Sequence, residues 1–402
     1  MIVTRTERIW IKASKNLSNL CHLSKNLYNE GNYLIRQEFF TTGNWIQYNS
    51  LYHSIKASEN YQQLPAQTAQ QVLKILERSW KSFFKVIKIW GKDKTKFLSR
   101  PGLPKYKPKN GEFLLVFTNQ QVKLQGNRLK FPKKVELEVK TRLTDTTDIR
   151  EVRINPKGIG YELEIVYNKK ISPKFLNENH ILAIDLGVRN LITVVNNNGL
   201  KPFVVKGGVV KSINQYYNKV KSRIQSTYDR QEMKTGKTLR RLTIKRNQKI
   251  NDYFHKTSRK IISYCLTNDI GTVVIGYNPE WKQRCRIGKR NNQNFVTIPY
   301  YKLIHQLEYK AEEQGITVIK QEESHSSKCS FLDNEPVAHH DTYVGKRINR
   351  GLFKSKEGKI INADMNGAYN IMKKAFLNAV SVDRIEDVGL HPIRWRLATV
   401  TS

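Results

Sequence analysis

The chain has 402 residues, enough for two or three domains, each with its own core. Lys and Arg number 70 against 34 Asp and Glu, a net charge of +36, so the expected partner is a polyanion gripped through many phosphates. The basic residues do not flank an apolar helix, no apolar run of about 18 residues occurs, and "MIVTRTERIW" is charged where a signal peptide is apolar. A membrane or secreted protein is set aside, and the cytoplasm is the expected location. In chain order, "IVTRTERIWI" alternates like a half-buried strand. Helices follow: Ala69, Val72, Leu76, Trp80, Phe83 and Ile87 recur at three- and four-residue spacing, a core-facing stripe on one long helix. "SRPGLPKYKPKNG", Ser99 to Gly111, is rich in Pro, Gly and Lys and breaks regular structure. Beyond it the period returns to two, and "FLLVF", "VELEVK" and "YELEIVY" read as strands of an antiparallel sheet or barrel.

A further region begins near Ile181. "ILAIDLGVRNLITVV" reads as a strand, a turn at Gly187 and a second strand, with Asp185 lodged among apolar residues. An ionised Asp there costs several kcal/mol unless it is paired or binds a cation. Residues 219–260 read as helical and hold 14 Lys and Arg against three acids, interleaved with Tyr228 and Tyr253. That single-signed charge favours a nucleic-acid surface over a merely solvated face. "GTVVIGYN" reads as a buried strand, "PYYKLIHQLEYKAEEQG" as a helix, "ITVIKQEE" as another strand, and "NADMNGAYNIMKKAF" as a helix carrying Asp364.

This element order is that of an RNase H-like nuclease core. In that fold, an Asp on the first central strand and an Asp near the start of a late helix converge on divalent ions. Hard Mg²⁺ takes oxygen ligands and keeps several waters, so a few carboxylates and phosphate oxygens complete its shell. Asp185 and Asp364 are the candidate ligands, with Mg²⁺ as the expected cofactor and Mn²⁺ able to replace it.

"AIDLGVRNLITVV", "IGYNPEWKQ", "NNQNFVTIPYYKLIHQLEYKAEEQGI", "EESHSSKCSFLDNEP" and "NADMNGAYNIMKK" resemble the TnpB (OrfB) family. These are RNA-guided DNA nucleases of insertion sequences, related to the type V CRISPR effectors. The resemblance implies an α+β multidomain chain: a β-barrel-like wedge domain (1–13 and 106–175) interrupted by a helical recognition domain (14–105). An RNase H-like (RuvC) α/β nuclease domain (176–323 and 362–376) would follow. A small zinc-finger-like insertion that binds target nucleic acid (324–361) would divide it, and 377–402 would be a tail. Also implied are a guide RNA from the transposon end, double-stranded target DNA beside a short adjacent motif, and a bacterial, nucleoid-associated protein without an obligate protein partner. Two readings stay open beside RNA-guided cleavage: a nuclease-inactive RNA-guided repressor, and a DDE-type transposase.

Two departures from the family's pattern shape the site. The family's second RuvC motif has a Glu on the strand where this chain has Gly276, which cannot ligate a metal. Two Asp residues leave a two-ion site underligated, so a relocated glutamate is expected at the end of "ITVIKQEES", a strand that should lie close to the one bearing Asp185. Successive residues on a strand point to opposite faces, so only one of Glu322 and Glu323 should face the metals. Glu323 is placed ahead of Glu322, with Glu280 as the fallback. The second departure is in the insertion, where the family has four zinc-binding cysteines and only Cys329 remains. His325, His339 and His340 are its possible companions, but structural zinc is not expected. Lys219, Lys221, Arg223, Arg240, Arg241, Lys245 and Arg246 are candidate contacts to nucleic acid, joined by Lys346, Arg347 and Arg350 of the insertion.

Overall fold

The computed structural model describes residues 1–279, 288–349, 351–380, 390–395 and 397. The chain divides into two compact units, Ile2–Lys170 and a second made of Met1 with Ile171–Ser402. In the first, β1 (Ile2–Lys12) alternates in burial as its sequence predicts. Helices α1 (Lys15–Thr42), α2 (Tyr48–Ile55), α3 (Glu59–Gln62) and α4 (Ala66–Lys92) follow. The α4 stripe is buried from Ala69 through Trp80, whose indole donates to Asn32 Oδ1 of α1 at 3.0 Å. The Pro/Lys-rich segment after α4 is irregular as expected, yet α1 side chains bind its carbonyls: Asn32 and Arg36 donate to Pro104, and Asn29 to Lys107.

The remaining strands of this unit are β2 (Leu115–Thr118), β3 (Lys123–Gln125), β4 (Arg128–Lys130), β5 (Glu138–Lys140), β6 (Asp148–Pro156) and β7 (Gly160–Lys170). They form two open sheets, ordered β1-β7-β6-β2 and β3-β4-β5. Among the described residues there is no closed barrel, contrary to the barrel-like wedge expected. The reason lies in "VELEVK". Its first residue ends a 3₁₀ turn (Lys133–Val135) and Glu136 takes a left-handed backbone, φ 46°. Only three residues are left to pair, and they join the small sheet rather than bridge the edges of the large one.

The second unit is built on a six-stranded mixed sheet, ordered β12-β11-β8-β9-β10-β16. Its members in chain order are β8 (Asn177–Leu186), β9 (Asn190–Asn196), β10 (Phe203–Lys206), then helices α5 (Gly208–Arg230) and α6 (Lys237–Thr267). Next come β11 (Ile270–Gly276), α7 (Lys289–Val296), α8 (Tyr300–Gln314) and β12 (Thr317–Gln321). A three-stranded sheet of β13 (Lys346–Asn349), β14 (Leu352–Lys354) and β15 (Ile360–Asn362) precedes α9 (Ala363–Ala375), and β16 (Ile393–Trp395) ends the large sheet. The basic segment is two helices, parted by residues 231–236.

The pleat divides this sheet between two cores. Leu182, Ile184 and Leu186 of β8 and Val273 and Ile275 of β11 pack with α6 and α8. Ile181, Ala183 and Val274 pack with Met365, Ala368, Ile371 and Met372 of α9. Alternation therefore puts Asp185 and Gly276 on the α9 face.

Candidate metal centre

Asp185 and Asp364 approach across the gap between β8 and the first turn of α9. A Cβ placed on Gly367, one turn beyond Asp364, would lie 3.4 Å from Asp185 Oδ2. The helix start is fixed locally: Asn362 caps it, accepting from Asp364 N at 3.1 Å and Met365 N at 3.3 Å. An acid in the first turn also faces the positive end of the helix dipole. Asp364 is further oriented by Asn190, whose Nδ2 donates to Oδ2 at 2.8 Å. Its other oxygen meets Arg347 Nη2 at 3.3 Å.

Glu322 and Glu323 lie just past the end of β12 and diverge. Glu322 is exposed and pairs with Lys374 of α9 at 2.5 Å. Glu323 turns inward, and its Oε2 is buried with no hydrogen-bond partner. Its backbone N–H donates to Asn278 Oδ1 at 3.1 Å, which fixes the turn. The sequence reading put β12 close to β8, but β11 lies between them. Gly276 closes that gap. A Cβ there would sit 2.6 Å from Glu323 Oε2 and 2.5 Å from Ile371 Cδ1, so the carboxyl crosses β11 only where a side chain is missing. Glu280 and Arg350 lie outside the described residues.

The electrostatics match this convergence. Burial pushes the Asp185 carboxyl well above its usual range, Glu323 and Asp364 push it further, and Arg347 and a hydrogen bond from the Leu186 backbone pull against them. Glu323 is pushed up to about 7, by burial first and Glu322 second, with Lys374 opposing. A cluster of hard oxygen donors, one of them a buried carboxylate oxygen without a partner, fits a divalent cation such as Mg²⁺.

Asn366 and Asn370 of α9 hold the chain that follows Glu323. Asn366 donates to the Cys329 carbonyl at 2.8 Å and accepts from Phe331 N at 2.9 Å, and Asn370 donates to the carbonyls of Ser326 and Cys329 at 2.8 Å. The sequence reading missed these, and Asn190 as well. Their signal was polarity where the helical period demands apolar residues, four residues apart on the buried face of "NADMNGAYN".

In the insertion, Cys329, Glu335 and His340 bring three possible ligand atoms within 4.8 Å of one another. Glu335 takes the place expected of a histidine, whereas His325 and His339 pack edge to face, with centroids 5.6 Å apart. Each of the three is already engaged. Glu335 accepts from Ser330 N at 2.6 Å and Val344 N at 3.0 Å, Cys329 Sγ donates to Ala338 O at 3.4 Å, and His340 Nε2 lies 2.7 Å from Pro336 O.

Of the basic candidates, Lys219, Lys221, Arg223, Arg240, Arg241, Lys245 and Lys346 are exposed. Arg246 is not free for a phosphate. It binds Asn214 Oδ1 at 2.8 Å and Thr297 O at 2.6 Å and lies over the Tyr217 ring, so it clamps α6 to α5 and to the residue before Ile298. Arg347 faces Asp364 instead of solvent alone.

Two family models match the chain: OrfB_IS605, described as "Probable transposase", over residues 164–282, and the Cas12f1-like TNB domain over residues 300–371. The TnpB-like protein ORF457 of Acidianus two-tailed virus is 28% identical across 90% of this chain and 83% of its own length. Over most of its length the chain is similar to the TnpB family. That family's kinship with type V effectors is visible too: the CRISPR-associated endodeoxyribonuclease Cas12f1 of Sulfoacidibacillus thermotolerans is 29% identical across 52% of this chain and 49% of that protein. The fold agrees. Cas12f1 in its complex with sgRNA and target DNA superposes with a TM-score of 0.50 at 14% identity, covering 92% of this chain and 98% of that one. Asp185 and Gly276 fall in the stretch matched by the first TnpB-related model, and Glu323, Arg347 and Asp364 in that matched by the second.

Proposed function

We propose that this protein is a guide-RNA-directed DNA endonuclease of the TnpB family whose divalent ions, Mg²⁺ or Mn²⁺, are held by Asp185, Glu323 and Asp364. The observation that carries the reading is the buried, partnerless Oε2 of Glu323, aimed over Gly276 toward the face that bears Asp185. A buried carboxylate oxygen without a partner is costly, and a cation at that point relieves the cost together with the mutual repulsion of the acids. When bound, such ions supply an activated water and neutralise charge on the leaving oxygen of a phosphodiester. The chain's own residues prepare the place. Asn190 and the Asn362 cap hold the Asp364 carboxylate, Gly276 leaves a passage for Glu323, and Asn366 and Asn370 fix the chain beyond it.

The proposed partners follow from charge and kinship. A chain of net charge +36 suits nucleic acid, and a Cas12f1 of similar fold was solved with sgRNA and target DNA. We assign the exposed cations of α5 and α6 to backbone contacts. Residues 1–13 and 106–175 are assigned to a wedge, 14–105 to guide and target recognition, and 324–361 to target nucleic acid.

The test is to sequence the RNA that co-purifies with the protein and to offer a DNA duplex matching its variable 3′ end. Cleavage is expected with Mg²⁺ and lost with EDTA. Asp185→Ala and Asp364→Ala should abolish cutting while target binding stays within a few-fold of wild type. Either variant cutting at near wild-type rate would remove the site assignment, and loss of binding along with cutting would point to a structural role.

A further inference from the structure

The structure pairs a residue of the insertion with a carboxylate of the proposed metal centre. Arg347 lies on β13, directly opposite Phe353 of β14, which is itself opposite Ile361 of β15. Side chains at directly paired positions share one face of a sheet. Phe353 and Ile361 are buried in the core that includes α9, so Arg347 projects to that same side at the sheet's outer edge. Lys346 and Ile348, its neighbours in sequence, project the other way. The strand β15 runs without a break into the Asn362 cap and Asp364, which places the guanidinium and the carboxylate at the two ends of one short structure. The result is an ion pair: Asp364 Oδ1 to Arg347 Nη2 at 3.3 Å, with the Asp364 and Arg347 side chains 28% and 44% exposed. Asp364 Oδ2 is taken by Asn190.

We infer that Arg347 is the resident counter-ion of the carboxylate centre, occupying Asp364 until a divalent cation displaces it. The inference rests on the metal reading above and adds competition between the insertion and the metal for one oxygen. Asn190 takes one of the two acceptor positions of Oδ2, and Arg347 lies against Oδ1, so a cation approaching Oδ1 meets the guanidinium. An ion pair this exposed is weak enough to yield, because solvent screens it and a long side chain loses freedom in keeping it. A phosphate arriving at the site would draw it off, since a planar fork of donors suits phosphate at least as well as carboxylate. The insertion thereby keeps the acids neutralised while the site is idle and gives Asp364 up when substrate and metal are both at hand.

The experiment is a Mn²⁺ titration, followed by the loss of free-ion paramagnetic signal, on the full chain freed of nucleic acid by high salt and of metal by EDTA. Wild type, Arg347→Ala, Arg347→Gln, Arg347→Lys, Lys354→Ala and Asp364→Asn are compared. Lys354 lies in the same small sheet, opposite Lys346 and so on the other face. Arg347→Ala and Arg347→Gln should each bind Mn²⁺ about three- to tenfold more tightly than wild type, the size expected for freeing one exposed ion pair beside a cation. Arg347→Lys should fall between, and Lys354→Ala should stay within twofold. Equal affinity in wild type and both neutral Arg347 variants, with binding lost in Asp364→Asn, would overturn the counter-ion role and leave the metal centre standing. No Mn²⁺ binding by any protein in the series would overturn both. A gain in Lys354→Ala as large as that in Arg347→Ala would reduce the effect to net charge and overturn the specific pairing.

Discussion

Gly276 governs the centre by what it lacks. The strand around it is buried throughout, and any side chain there would meet both Ile371 and the Glu323 carboxyl. The acid therefore arrives from the end of the next strand and passes over the glycine. Moving the acid back onto β11 tests this trade. Gly276→Glu alone should overpack the site, costing about 1–3 kcal/mol of stability and most of the cleavage. Glu323→Ala alone should abolish cleavage by removing a ligand. The double variant should recover a measurable part of the rate, because the space vacated by one carboxyl is refilled by the other. Cleavage no better in the double variant than in either single one would show that the two positions do not serve one site. Strand alternation made it legible that only one of Glu322 and Glu323 turns inward, but not which of the two. The role of Gly276 as a passage was not legible, because a missing side chain carries no sequence signal beyond the missing ligand itself.

At the scale of elements, the order of strands and helices was readable from distinct patterns: period two in β1 and β7, 3.6 in α4, and a continuous apolar run in β8. Failure came where a local backbone demand interrupts a good pattern. Glu136 in the left-handed region cuts "VELEVK" short. Distances between elements were illegible for another reason: strand order is set by crossovers, so the placement of β11 between β8 and β12 could not be counted off the chain. The insertion makes the same point through Glu335, a residue 3% exposed that binds two backbone amides nine and five residues away. A buried N–H left without a partner costs about 1–3 kcal/mol. Glu335→Ala should therefore loosen the insertion locally, and hydrogen exchange should show the amides of Ser330 and Val344 losing protection by at least tenfold. Glu335→Gln, which keeps one acceptor oxygen, should lose less. Unchanged protection in Glu335→Ala would mean that the loop is held by other contacts.

For the molecule as a whole, the charge of +36 was the first property legible and the least specific. It bounds the partner to a polyanion and says nothing of cutting. Among the described residues no helix is long and apolar enough to cross a membrane. What separates a nuclease from a binding protein of the same charge is a complete carboxylate set, and the set depends on whether Glu323 or Glu322 supplies the third ligand. Glu322 has Lys374 as its counter-ion, whereas Glu323 Oε2 has no hydrogen-bond partner. The two adjacent acids thus form a matched pair of positions, one satisfied and one not. The decisive measurement is single-turnover cleavage in Mg²⁺ of a guide-matched duplex by wild type, Glu322→Gln and Glu323→Gln, each loaded with the same RNA. The account predicts cutting by Glu322→Gln within about threefold of wild type and a loss of at least about a hundredfold in Glu323→Gln, the scale expected when an electrostatic partner of the transition state is removed. Full cutting by Glu323→Gln, with or without a loss in Glu322→Gln, would contradict it.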